Sequence, residues 1–152
     1  MADTPHIMIV EARFYEDIAD ELIASAIAEL DAAGATYERF QVPGAFEIPT
    51  TIQYAVRSLD FYSARRRFDG YVALGCVIRG ETTHYELVSE GAAQGIQDVQ
   101  LATGVPIAFG LVTVENEEQA LARSQGPGGH NVGEEAALVA VEMARLAQRH
   151  RR

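Results

Sequence analysis

The sequence predicts an α/β fold, a parallel sheet of four strands with helices on both faces. Three observations carry this. Short apolar or alternating runs and longer amphipathic stretches take turns four times along the chain, the pattern of a parallel sheet that is covered on both sides. Glycine or proline marks the junctions at Gly34, Pro43-Gly44 and Gly104-Val105-Pro106. The length of 152 residues, 48% of them apolar, suffices for one ordinary core, so a single domain over 1–152 is expected.

Each element has its own warrant. HIMIVEA, His6–Ala12, reads as a strand. Residues 16–33 read as a helix, with Ile18, Leu22, Ala26 and Leu30 on one face and Gly34 as its stop. Thr36–Val42 alternates as a strand does, and Pro43-Gly44 breaks it. Residues 48–59 make a weaker helix, and 71–78 the most buried-looking strand. Residues 83–103 form a long helix, with Thr83-x-x-Glu86 fitting a capping box at its start. Ile107–Val114 is the fourth strand. A short helix over 116–123 takes Asn116 as its cap, a glycine-rich loop covers 125–131, and an alanine-rich helix covers 133–148.

Composition excludes several classes. Net charge is −10, against nucleic-acid binding, which needs a basic footprint. The one dense basic run, Arg65-Arg66-Arg67, reads as a solvated connector. No apolar run reaches the ~18 residues of a membrane span, and the N-terminus lacks a signal peptide's basic start. The single cysteine, Cys76, permits no internal disulfide, and a cytoplasmic location is expected. All twelve basic residues are arginine. Without lysine there is no P-loop and no enzyme-bound Schiff base. Phosphate would have to be held by arginine, backbone amides or helix ends. No H-x-x-x-H or H-E-x-x-H spacing occurs, so no metal is expected. Neither G-x-S-x-G nor G-x-G-x-x-G is present, which removes a hydrolase elbow and a dinucleotide fingerprint.

Ligands in open α/β sheets bind beyond the carboxyl ends of the strands, and there the polar residues gather. Arg79-Gly80 breaks the third strand, and Glu81, Thr82 and Thr83 follow before a helix start. Free amides, hydroxyls and a positive helix end suit a phosphate or carboxylate; a plain helix cap would read the same. His84, in the first helical turn, is a candidate acid–base or a solvated surface histidine. Phe14 could stack on a flat ring or cap the core. Gly44 to Glu47 could grip a polyol, with Glu47 accepting hydroxyl protons, or form an ordinary turn. Arg123 could pair with an anion or merely favour its helix end.

The order of these motifs is more specific than any one of them. VPGAFEIP (42–49), LGCVIRGETTHYE (74–86), FGLVTVENEEQALAR (109–123) and the Arg13-Phe14 step resemble the lumazine synthase family over nearly the whole chain. That resemblance implies a flavodoxin-like three-layer sandwich. It implies condensation of 5-amino-6-(D-ribitylamino)uracil with 3,4-dihydroxy-2-butanone 4-phosphate, giving 6,7-dimethyl-8-ribityllumazine, phosphate and water, without cofactor or metal. By the same resemblance Phe14 stacks on the pyrimidine. Ala45, Phe46 and Glu47 hold the ribityl chain and ring edge, and Cys76, Val77 and Ile78 contact the pyrimidine through backbone. Gly80, Glu81 and Thr82 cradle the phosphate, Arg123 pairs with it, and His84 shuttles protons. Phe109 brings its backbone from a neighbouring subunit, so the active sites lie at subunit interfaces. Riboflavin synthase is an implied partner.

The sequence departs from the family at two places. Cage-forming members typically carry a loop like Gly-Thr-Lys-Ala-Gly-Asn-Lys-Gly, where this chain has Gln125-Gly-Pro-Gly-Gly-His-Asn-Val-Gly133, about one residue more and without lysine. Members with insertions here tend to stop at pentamers or pairs of pentamers, so a homopentamer is expected. Tyr15 stands where a smaller polar residue is common, at the rim of the expected pocket. Two other readings stay open to the residues: a module that binds a flavin or lumazine without making it, and a different small-molecule enzyme such as a phosphosugar isomerase. The first has no use for a phosphate cradle; the second needs another acid–base, for which only Glu47 is available.

Overall fold

The computed structural model describes residues 4–62 and 67–150, apart from the side chains of 58–62. Four strands, β1 His6–Ala12, β2 Thr36–Val42, β3 Gly70–Ile78 and β4 Ile107–Val114, form one sheet in the order β2-β1-β3-β4. Every pairing is parallel, with His6 opposite Thr36, Ile7 opposite Gly70 and Tyr71 opposite Ile107. The helices are α1 Glu16–Ala32, α2 Ile48–Tyr62, α3 His84–Thr103, α4 Glu117–Ala122 and α5 Val132–His150. The expected three-layer α/β architecture is therefore the observed one.

Two apolar layers follow from the period of two along each strand. Ile7, Ile9, Val72, Leu74, Ala108 and Val112 face α1 and α5. Met8, Val10, Tyr71, Ala73, Ile107 and Leu111 face α2 and α3. The first layer is thin because small residues line it. A Cβ on Gly133 would stand 2.2 Å from the Leu22 carbonyl oxygen, and one on Gly110 2.9 Å from the Ala136 Cβ. α5 thus lies almost on the backbones of α1 and β4. Gly34 and Gly104, at φ 77° and 78°, end α1 and α3 in the left-handed conformation that glycine adopts without strain.

Several expectations change in detail. α2 runs on to Tyr62 rather than ending near Leu59, and a 3-10 turn, Ala45–Glu47, precedes it. The capping box at Thr83 does not form: Thr83 makes no side-chain cap bond, and Glu86 pairs with Arg79 instead. The nearest substitute is Thr82, whose hydroxyl accepts from the His84 amide at 3.2 Å. Asn116 does cap α4, accepting from the Gln119 amide at 2.9 Å. Arg65 and Arg66 lie outside the described residues. Arg67 is more engaged than a solvated connector would be, 5.0 Å over the Phe68 ring and 2.6 Å from Glu38. The loop before α5 is pinned by buried Asn131, whose amide donates to the carbonyls of Glu21 at 3.2 Å and Gln125 at 2.9 Å. The Asn131 side-chain oxygen accepts from the Glu134 amide at 3.1 Å.

Candidate active site

The chain runs from β1 outward to β2, then back across to β3 and on to β4. The reversal lies between β1 and β3, and a crevice is expected beyond their carboxyl ends. A cavity of about 370 Å³ opens there, lined by Phe14, Tyr15, Gly44, Ala45, Phe46, Glu47, Cys76, Val77, Ile78, His84 and Val88. Its size falls in the range of small-molecule sites.

The β1 side rests on a charged cluster. Glu11, only 2% exposed, accepts from Arg39 at 2.7 and 3.1 Å and from Arg13 at 2.9 Å. Arg13 also pairs with Glu16 at 3.1 Å and with Asp20. A carboxylate so far from water is tolerable only when its oxygens are satisfied in this way. The cluster ties the end of β1 to β2 and to the first turn of α1. Phe14, the next residue, is 74% exposed. The Tyr15 ring meets it edge to face, with centroids 4.9 Å apart at 81°, the geometry that ring quadrupoles favour. Phe14 thus presents a free ring face whose tilt is set by its neighbour.

The opposite wall is the 3-10 turn. The Glu47 amide donates to the Gly44 carbonyl at 3.2 Å, and the Thr51 hydroxyl to the Glu47 carbonyl at 2.8 Å. The Phe46 ring lies against α3 at Gly91, where an added Cβ would meet it at 2.6 Å. A side chain at position 91 would take the space the ring occupies.

The floor is the end of β3. Cys76, Val77 and Ile78 are half-buried, the backbone of each paired with β4 through Val112, Thr113 and Val114. Burial pushes the Cys76 thiol up to about 11. It stays protonated at neutral pH and so is no nucleophile. Burial, and then the nearby Cys76, also raise the Tyr15 phenol above its ordinary value. His84 and Val88, one turn apart on α3, close the cavity from the other side. His84 is exposed, free to meet a ligand from the rim.

Gly80, Glu81 and Thr82 form the exposed turn between β3 and α3, next to the cavity rather than lining it. Phe109 and Arg123 stand elsewhere. Phe109 is 46% exposed and borders a separate shallow hollow with Val132, Glu135, Ala136 and Val139. Arg123 is half-buried at the end of α4 and donates to the Gln119 carbonyl at 2.9 Å. One chain thus brings together eight of the expected residues and leaves these two apart. The sequence reading passed over Glu11, although a charge inside the central apolar strand was a signal for it. It also passed over Val88 as a lining residue, for which the i+4 step from His84 was the available clue.

The model of the 6,7-dimethyl-8-ribityllumazine synthase family matches residues 4–148. A Rhodopseudomonas palustris protein named 6,7-dimethyl-8-ribityllumazine synthase 1 is 46% identical over 143 residues, covering 94% of this chain and 86% of that protein. The 6,7-dimethyl-8-ribityllumazine synthase of Bartonella bacilliformis is 45% identical over 145 residues, 95% of this chain and 91% of its own. That of Agrobacterium fabrum is 49% identical over 119 residues, 78% and 79% respectively. With eight of the motif residues around one cavity and the match running nearly end to end, the chain belongs to the 6,7-dimethyl-8-ribityllumazine synthase family.

Proposed function

We propose that this protein is the transferase its relatives are named for, joining 5-amino-6-(D-ribitylamino)uracil to 3,4-dihydroxy-2-butanone 4-phosphate to give 6,7-dimethyl-8-ribityllumazine. The observation that carries this reading is the cavity at the β1–β3 switch point, where an exposed aromatic ring, a polar turn, three strand-end residues and a histidine converge. The chemistry needs no lysine, because the imine forms between one substrate's amine and the other's ketone, with loss of water. Phosphate is then eliminated, the enol tautomerises, and the second carbonyl closes the ring with loss of a further water. Those steps call for orientation and proton transfer.

In this reading Phe14 stacks on the pyrimidine, while Ala45, Phe46 and Glu47 hold its edge and the ribityl chain. The backbone of 76–78 contacts the ring, and His84 moves the protons. Gly80, Glu81 and Thr82 receive the phosphate at the start of α3, where the helix end is positive. Arg123 is the phosphate cation, and Phe109 reaches the site of a neighbouring subunit. Their separation from the cavity in one chain supports a site completed by a second copy, and exposed apolar residues on α5, Leu138, Val139 and Met143, support assembly. The assembly is a homopentamer of one-domain chains in the cytoplasm, and riboflavin synthase takes up its product.

The test is to mix the purified protein with both substrates and follow lumazine absorbance and fluorescence against the unassisted reaction. Acceleration is expected. Tight lumazine binding without acceleration would make this a binding protein. His84→Ala should slow turnover ~10²-fold or more with substrate binding largely kept; unchanged turnover would make the histidine a bystander.

A further inference from the structure

Arg79 lies next to the turn 80–82, yet its guanidinium is taken up by two carboxylates. Its Nε donates to Glu115 at 2.8 Å, and its Nη1 pairs with Glu86. Its guanidinium sits 4.5 Å from the Tyr85 ring centroid. Its own amide donates to the Val114 carbonyl at 2.9 Å. One side chain therefore joins three pieces of backbone: the last residue before the turn, the first helical turn of α3, and the loop that leaves β4. Glu86 depends on the contact, since its other carboxylate oxygen is shielded and lacks a partner. A planar fork that engages two carboxylates and an aromatic face at once is something arginine can do and lysine cannot.

We propose that Arg79 is a positioning residue for the phosphate turn, fixing Gly80, Glu81 and Thr82 against α3 and the β4 end so that their amides converge before the anion arrives. The inference rests on the reading that this turn receives the phosphate. Committed to two carboxylates, Arg79 does not itself act as the phosphate cation. Its two acidic partners also offset the positive charge it would otherwise add beside the helix end.

The experiment compares steady-state kinetics of the wild type with those of Arg79→Met, Arg79→Lys, Glu115→Gln and Thr82→Val, each substrate varied in turn and thermal midpoints recorded. Arg79→Met is expected to raise KM for the butanone phosphate about tenfold, as lost preorganisation of one subsite should, with KM for the pyrimidine held within about twofold. Arg79→Lys should lie between, and Glu115→Gln should shift the same KM in the same direction by less. If Glu115→Gln lowers that KM, Arg79 is a phosphate ligand held in reserve and the proposal falls. Equal rises in both KM values with a lowered midpoint would reduce Arg79 to a general structural tie and also overturn it. Thr82→Val separates the layers. If it leaves the butanone phosphate KM unchanged, the phosphate is held elsewhere and the underlying reading fails. If it raises that KM while Arg79→Met does not, only the positioning role fails. Should Arg79→Met not fold, Glu115→Gln alone decides through the direction of its shift.

Discussion

At the scale of single residues, the cavity depends on side chains whose positions are set by neighbours outside it. Phe46 is 57% exposed, so little else restrains it, and the absence of a Cβ on Gly91 gives its ring a seat. Gly91→Ala is expected to push the ring off α3, which it can leave without breaking the core. The mid-helix exchange itself favours the helix by about 0.5–1 kcal/mol, so the thermal midpoint should hold or rise while KM for the pyrimidine substrate rises severalfold. Kinetics and a melt on the same preparation check both, and an unchanged KM would remove Phe46 from the binding wall. Single residues were legible unevenly. Phe14, Glu47 and His84 stood out because an aromatic, a carboxylate or an imidazole at a strand end has few reasons to be there, whereas Cys76 came in only through the family resemblance. Glu86 misled because a capping box is a local pattern, and a cation seven residues earlier, Arg79, took its carboxylate. Local spacing cannot register a competitor brought in by the turn.

At the scale of elements, strands were the most legible part of the chain. Their limits come from alternation and from glycine or proline stops, which are properties of the segment itself. Helix ends were less so: α2 runs about three residues and α5 about two residues past the expected ends, where no breaker in the sequence marks a stop. The close packing of α1 with α5 was not legible at all, because nothing local tells a glycine at a helix start from one that makes room for another backbone. Gly133 is the second kind. Gly133→Ala would set its methyl against the Leu22 carbonyl and should destabilise the protein by about 1–3 kcal/mol or more, the usual scale of overpacking. Urea unfolding followed by circular dichroism measures it; a loss well below 1 kcal/mol would mean the two helices separate easily.

At the scale of the whole molecule, the cavity is shaped by the order of the strands. β1 and β3 are interior and adjacent although β2 lies between them in sequence, so Phe14 and the 76–78 segment meet across the switch point. That much was legible, since the carboxyl ends of alternating strands share one edge of the sheet. That Arg123 stands apart from the cavity of its own chain was not, because the direction in which a short helix carries its last residue is no property of its sequence. If the proposed homopentamer forms, sedimentation velocity should give a closed ring of five chains of 16.5 kDa each; a sixty-subunit shell would overturn the pentamer and the role given to the lysine-free loop.

The same strand order has a consequence in time. β1 and β3 are hydrogen-bonded on both sides, whereas β2, which leads into the turn bearing Phe46 and Glu47, is held on one. Edge segments open locally at lower free energy than interior ones. The cavity therefore has a slow wall and a fast wall, the first keeping the Phe14 and Cys76 surfaces in place, the second breathing. Traffic of a ligand into and out of the cavity would follow the fast wall's rhythm.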